Sequence, residues 1–255
     1  MRVTLVLLLC CLSVFINAQN DTLFSEGNAL YNKGKYAEAI KKYETILKTD
    51  EHSADLYFNL GNAHYKLNNV APSIFYFEKA LQLRPNDQDI KNNLGFAQNM
   101  TIDAIDKVPT VGFSRIFKNI VNTFSADVWS VIAVCGVFIF VLLFLLYHFT
   151  YATSQKRMAF IVSVLGLFIT GFSVVMAFQK STIESKDNPA IVFVSESRIK
   201  ADPNKSSEEV FRLHEGTKVQ VLENYEDWYK IEIADKTSGW ILSEEIKLLN
   251  NFNKN

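Results

Sequence analysis

Three glycines, Gly27, Gly61 and Gly95, stand 34 residues apart, each inside a near-copy of one phrase: Glu26-Gly27-Asn28-Ala29, Leu60-Gly61-Asn62-Ala63 and Leu94-Gly95-Phe96-Ala97. A fixed period of this length marks a stacked helical repeat, because each helix pair is too small to bury its apolar face alone and must share a core with its neighbours. In the first two copies the match continues: Tyr36-Ala37-Glu38-Ala39-Ile40 lies over Val70-Ala71-Pro72-Ser73-Ile74, Tyr43 over Phe77, and Ile46-Leu47 over Ala80-Leu81. The third copy fades after Ala97. Two good units and a degenerate third are expected, with helices near 21–33, 36–48, 55–67, 70–83 and 88–100.

Over residues 21–100 this pattern resembles the tetratricopeptide repeat, with Pro85 closing the second copy and Glu51 standing where the first closing proline would fall. The resemblance implies an all-α domain in which Gly and Ala let the first helix of each unit pack on the second, and in which the first helices line a concave surface. Phe24, Asn28 and Tyr31 are spaced by four and three and share a helical face. Phe58, Asn62 and Tyr65 repeat them one period later, and Asn92, Phe96 and Asn99 extend the row. By the resemblance these residues form a peptide groove, where rings cover apolar side chains and amides pair with a peptide backbone. The alternative is structural, since Asn after the glycine and Tyr in this helix also occur in repeats with no ligand. A clamp for a terminal carboxylate is not expected: Asn28 and Asn62 fit one, but Phe24, Asp89 and Asn93 stand where cations are needed.

Hydropathy divides the rest of the chain. Met1-Arg2, an apolar run from Val3 to about Ile16, and Asn17-Ala18-Gln19 read as a signal peptide over 1–18, cleaved near Ala18. The competing readings are an uncleaved anchor and a lipoprotein, the second opposed by Leu9 before Cys10. Residues 128–149 and 158–178 carry no formal charge, and about 22 residues at 1.5 Å each cover roughly 33 Å. Gly136, Gly166 and Gly171 in these segments suit close helix approach in lipid. The connection 150–157 is short enough to force an antiparallel hairpin, and its Lys156-Arg157 pair favours the cytoplasm. With an exported amino terminus, both soluble parts share one extracytoplasmic compartment. Between repeats and hairpin, residues 101–127 hold Ile116, Phe117, Ile120, Val121 and Phe124 on one face beside Arg115 and Lys118. Such a segment either lies on a membrane surface or covers the open end of the repeats.

After a polar linker at 179–188, residues 189–250 change period. Ala190–Val194, Thr217–Leu222 and Trp228–Ile233 are β-rich and mostly alternating, and 234–239 form a hairpin connection into Trp240-Ile241. Phe211–Val219, Asp227–Ile231 and Gly239–Ile241 together resemble bacterial SH3-like domains, which implies a small all-β barrel that binds peptide or cell-wall glycan-peptide, or serves as a rigid adaptor. Trp228 and Trp240 are expected in its core, and Tyr225 is the candidate exposed contact.

No catalytic constellation emerges, and no enzyme, metal site or cofactor is expected. His52, His64, His148 and His214 are scattered, and His214-Glu215-Gly216 lacks the second histidine of a zinc-peptidase helix. His64 falls at a repeat-packing position. Cys10 and Cys11 lie in the leader and Cys135 in a span, so the exported parts hold no thiol for redox or metal chemistry. Lys and Arg total 26 against 27 Asp and Glu, so the balanced charge gives no reason to expect a nucleic-acid partner. The order of signal, repeats, transmembrane hairpin and SH3-like domain resembles the BatE proteins of the Bacteroides aerotolerance operon. That resemblance implies a gram-negative inner-membrane protein, its repeat and SH3-like domains in the periplasm, working in an envelope complex with other Bat proteins, including ones with von Willebrand factor A domains, and with a MoxR-type ATPase. An interaction scaffold is the leading expectation; a peptidoglycan-binding envelope sensor and a periplasmic holding chaperone are the rivals.

Overall fold

The computed structural model describes residues 19–103, 105 and 112–250, so the expected signal segment lies outside the described residues. The chain divides into two compact units. One unites the amino-terminal helices with the carboxy-terminal strands, and the other spans 108–187.

In the first unit, helix α1 covers 19–32, followed by α2 (Tyr36–Leu47), α3 (Ala54–Lys66), α4 (Val70–Leu83) and α5 (Gln88–Gln98). Side chains fix two of the starts: Ser53 Oγ accepts from Leu56 N at 3.2 Å, and Asp87 caps α5 by accepting from Asp89 N and Ile90 N. The repeating glycines act through contact. A Cβ on Gly61 would sit 2.7 Å from the Phe77 ring, and one on Gly27 would strike Tyr43, so each first helix lies against an aromatic of the second. The third copy departs from this, because Gly95 faces open space and the described residues of this unit include no second helix after α5.

Aromatic packing ties the repeats together. Tyr76 stacks on Tyr57 and on His64, at 6.0 and 5.5 Å between ring centroids. His64 is buried as a packed helix residue: Nδ1 faces the Asn69 amide at 3.2 Å, and Nε2 has no partner among the described residues.

The strands β1 (Pro189–Val192), β2 (Glu196–Lys200), β3 (Glu209–His214), β4 (Lys218–Tyr225), β5 (Trp228–Glu232), β6 (Ser238–Leu242) and β7 (Ile246–Leu248) form one antiparallel sheet in the order β3-β2-β6-β5-β4-β1-β7. Ala190, Ile199, Leu213, Val219, Ile231, Ile241 and Ile246, one from each strand, meet in a single core. The sheet therefore wraps around its own interior, as an SH3-like domain requires.

In the second unit, α6 (Phe113–Val121) precedes α7 (Ala126–Phe149) and α8 (Thr153–Lys186), the last two long and apolar enough to cross a membrane. In this antiparallel contact the buried side chains include small and weakly polar ones, Ala133 on α7 and Ser163, Thr170 and Ser173 on α8. Gly136 is held against Thr170 with no room for a Cβ, whereas Gly166 and Gly171 have nothing within 4 Å and play no part in this pairing. The stretches expected as loop and linker are shorter, because α8 runs from Thr153 through the polar residues to Lys186. Lys180 pairs with Glu184 one turn on, and the chain has no glycine or proline between 179 and 188 to stop the helix.

Burial, with Lys247 nearby, lowers the His64 pKa from 6.5 to about 4. The unfolded chain therefore takes up this proton first. The contribution of neutral His64 to stability is complete above pH 6.5 and declines as pH falls towards 4. Urea unfolding across this range is expected to show that decline, and His64→Phe to flatten it; an unchanged slope in the variant would remove His64 as its source.

Candidate functional site

Strand β1 and its continuation explain why helices and strands share one unit. Ala190-Ile191-Val192-Phe193-Val194 is an unbroken apolar run. Ala190, Val192 and Val194 pack into the core of the β-domain, whereas Ile191 and Phe193 turn to the helical core, where Leu249 joins them. A strand buried on both faces needs apolar residues at every position.

The receiving surface is α4. Phe75 meets Phe193 edge-on at 5.7 Å, and Lys247 Nζ lies over Phe75 at 4.6 Å. Gly216, at φ +86° in the β3–β4 turn, presses against Thr101, Ile74 and Val70, where a Cβ would lie 2.8–2.9 Å from their methyl groups. Polar groups at this seam are matched. Lys218 Nζ pairs with the nearly buried Glu78 at 2.7 Å, and Gln82 Nε2 donates to Asn250 Oδ1 at 2.8 Å. Asp103 accepts from His214 N, from the His214 ring at Nδ1, both at 2.7 Å, and from Thr217 Oγ1 at 2.6 Å. Burial pushes the Asp103 carboxyl up, but the hydrogen bonds from Thr217 and His214 outweigh it and hold the pKa below the ordinary value. His214 is thus a structural contact at this seam.

This surface was missed by reading each domain separately, although a signal existed. At the positions of Phe75 and Tyr76 in the second repeat, the first repeat carries Lys41 and Lys42. The outer face of α2 is left for water, while α4 is buried almost all round.

The predicted groove residues lie on the first helices α1, α3 and α5. Phe24 and Phe58 are half-buried, tilted against Tyr43 and Phe77 at 5.9 and 5.8 Å. Phe24 also lines a pocket of about 190 Å³ with Asn20, Asp21, Glu51, Ser53 and Asp55. Asn28 Oδ1 accepts from Tyr43 Oη at 2.8 Å and Asn59 Nδ2 at 2.9 Å, which ties the first repeat to the second and engages its carbonyl oxygen. The side chain of Asn62, one repeat on and partly exposed, makes no hydrogen bond among the described residues. Tyr31 packs edge-on against Tyr36 at 5.2 Å, and burial raises its pKa, with Tyr36 adding to the shift. Tyr65 is half-buried on the helical core. Asn92 is exposed and accepts from Gln88 at 3.3 Å, while Phe96 projects with 59% of its surface free.

On the β-domain, Trp228 is buried, but Trp240 is not in the core as expected. Strand alternation decides this: Gly239 and Ile241 point inward, with Gly239 too close to Ile199 to carry a side chain, so Trp240 points out. There Tyr225 meets it edge-on at 6.4 Å, and Lys230 Nζ lies 5.8 Å from its ring. Tyr225, itself exposed, is therefore half of an outward aromatic pair with the partly buried Trp240 ring. Among the described residues no group of His, Cys, Asp and Glu is placed to hold a metal.

Comparison with protein families agrees with these two folds. A TPR repeat family model matches residues 27–68 and a tetratricopeptide repeat model residues 54–87, and a bacterial SH3 domain model matches residues 195–247. The chain thus carries tetratricopeptide repeats and, beyond two apolar helices, a bacterial SH3 domain. Helix α5 and the docking strand β1 fall outside the matched stretches. No curated protein matches the sequence.

Replacing Phe75 by Lys, the kind of residue the first repeat carries there, is expected to free the SH3 domain from the repeats while each keeps its fold. Loss of a buried aromatic costs about 3–5 kcal/mol. Zero-length carbodiimide coupling between Lys218 and Glu78 reads the seam directly. The coupled product should form in the parent and vanish in Phe75→Lys; equal yields would show that Phe75 does not hold the seam.

Proposed function

We propose that this protein is a membrane-anchored interaction scaffold whose repeats take an extended segment of a partner protein along α1, α3 and α5. One observation carries the reading: the SH3 domain docks on α4, whereas on the first helices Asn62 is partly exposed with a free amide and Phe96 has 59% of its surface exposed beside the half-buried Phe58 of the same row. Asn62 offers an unused amide to a peptide backbone beside rings that would cover apolar side chains. The repeats are of a kind typical of interaction scaffolds rather than of enzymes.

Two crossings by α7 and α8 return the chain to the side it left. The seam of α4 with β1 supports this topology, because repeats and SH3 domain meet only if both lie on one face of the membrane. A signal peptide at 1–18 would make that face periplasmic, with the three-residue turn before Thr153 in the cytoplasm. The resemblance to BatE proteins suggests membrane partners with von Willebrand factor A domains in an aerotolerance complex.

A second reading has its own observation. The outward pair Tyr225–Trp240 with Lys230 is suited to a sugar or peptide of the cell wall, which would make the SH3 domain a peptidoglycan anchor or sensor.

Tyr31 and Tyr65 contribute to the core, so their truncation would mix stability with binding. Asn62→Arg combined with Phe96→Ala alters one partly exposed and one exposed position outside the buried core. In-cell crosslinking of the full-length chain should recover a small set of membrane proteins that this double variant loses; recovery of the same set from both would sink the groove. Tyr225→Ala with Trp240→Ala is expected to abolish co-sedimentation of the detergent-purified full-length protein with peptidoglycan, and parent protein that stays in solution would dismiss the second reading.

A further inference from the structure

Helix α6 sets Phe113, Ile116, Phe117, Ile120 and Val121 on one side and Ser114, Arg115, Lys118 and Asn119 on the other. The protein uses one edge of the apolar side. Val121 is fully buried against Trp129 and Met176, and Phe117 packs on the same cluster. Two polar contacts fix the end of the helix: Trp129 Nε1 donates to the Val121 carbonyl at 3.2 Å, and Lys180 Nζ donates to Asn122 Oδ1 at 2.9 Å. These tie α6 to the first turn of α7 and to the end of the apolar stretch of α8.

The remaining apolar edge is open, with Phe113 80%, Ile116 59%, Ile120 39% and Phe124 41% exposed. Two observations identify what covers it. The edge runs into α7, where Phe124 meets Trp129 edge-on at 5.1 Å, and from Val131 to Phe149 the exposed side chains of α7 are, His148 apart, the apolar ones a bilayer would cover. Charge gives the second: from Gly112 to Ala126 the chain has no Asp or Glu, while Arg115 and Lys118 stand on the polar side of α6. An apolar face backed only by cations suits the boundary of a membrane containing anionic lipid better than an acid-balanced protein surface.

We propose that α6 is an interfacial helix that seats Phe113, Ile116, Ile120 and Phe124 in the hydrocarbon edge of the bilayer, with Arg115 and Lys118 at anionic headgroups. The inference rests on the reading that α7 and α8 span a membrane. It makes the anchor three-pointed and fixes the depth at which the chain enters α7.

Spin labels test this in the full chain, with Cys10, Cys11 and Cys135 replaced by Ser. Single labels are placed through Ile116→Cys, Asn119→Cys and Phe138→Cys, the last midway along α7. In phosphatidylcholine vesicles containing phosphatidylglycerol, the labels at Ile116 and Phe138 should relax more with oxygen than with a water-soluble nickel chelate, and the label at Asn119 the reverse. The oxygen-to-nickel ratio at Ile116 should be several-fold that at Asn119, should fall when phosphatidylglycerol is omitted, and should cease to respond to it in Arg115→Gln, Lys118→Gln. Nickel access at Ile116 with oxygen preference at Phe138 would overturn the interfacial helix and leave the spans standing. Nickel access at both would overturn the membrane reading itself. An Ile116 label shielded from both reagents would assign the face to protein, such as a second copy, and a ratio indifferent to lipid charge would overturn the anionic preference.

Discussion

The seam between α4 and β1 is the contact on which the architecture of the soluble unit depends. Repeat arrays bury each helix pair against the next, and among the described residues of this unit α5 has no second helix. The SH3 domain covers α4 from far along the chain, setting Ile191, Phe193 and Leu249 against the helical core. Such a docking is stable only if the polar groups it encloses are matched. Asp103, Glu78, His214, Thr217 and Lys218 provide that matching in two clusters beside the apolar contact.

This arrangement changes what a scaffold of two modules can do. Separate modules on flexible tethers raise the effective concentration of their partners over a range set by linker length. Here the repeats and the SH3 domain are one body, so ligands on the row of Asn62 and on the Tyr225–Trp240 pair would be held at a fixed spacing. The surfaces used for docking are distinct from both. Burial of β1 on its two faces consumes one flank of the SH3 domain, and Trp240 stands on β6, three strands away in the sheet.

Close packing in the second unit rests on small side chains. In a bilayer, where lipid tails are as apolar as Leu or Phe, the contact of α7 with α8 would gain from proximity and shape rather than from burial of apolar surface. Gly136 against Thr170 is its tightest point. Elsewhere the helices present bulky residues such as Phe138 and Phe168 outward.

Periodicity alone determined the local elements: a 34-residue spacing of glycines for the helix pairs, long uncharged runs for the two apolar helices, and alternation for strands β4 to β6. It also determined the groove candidates, because positions one repeat apart share a face whatever surrounds them. Tertiary structure decided which of those residues are committed elsewhere. Asn28 is engaged by Tyr43 and Asn59 while Asn62 is not, a difference that depends on neighbours from other helices. It decided that Trp240 points outward, since the inward place beside Ile199 has room only for Gly239. Above all it decided that residues 190–194 meet α4, more than a hundred positions earlier. A run of five apolar residues declares that both faces of a strand are buried, but the partner of the second face is set by the fold of the whole chain, and no local pattern carries that information.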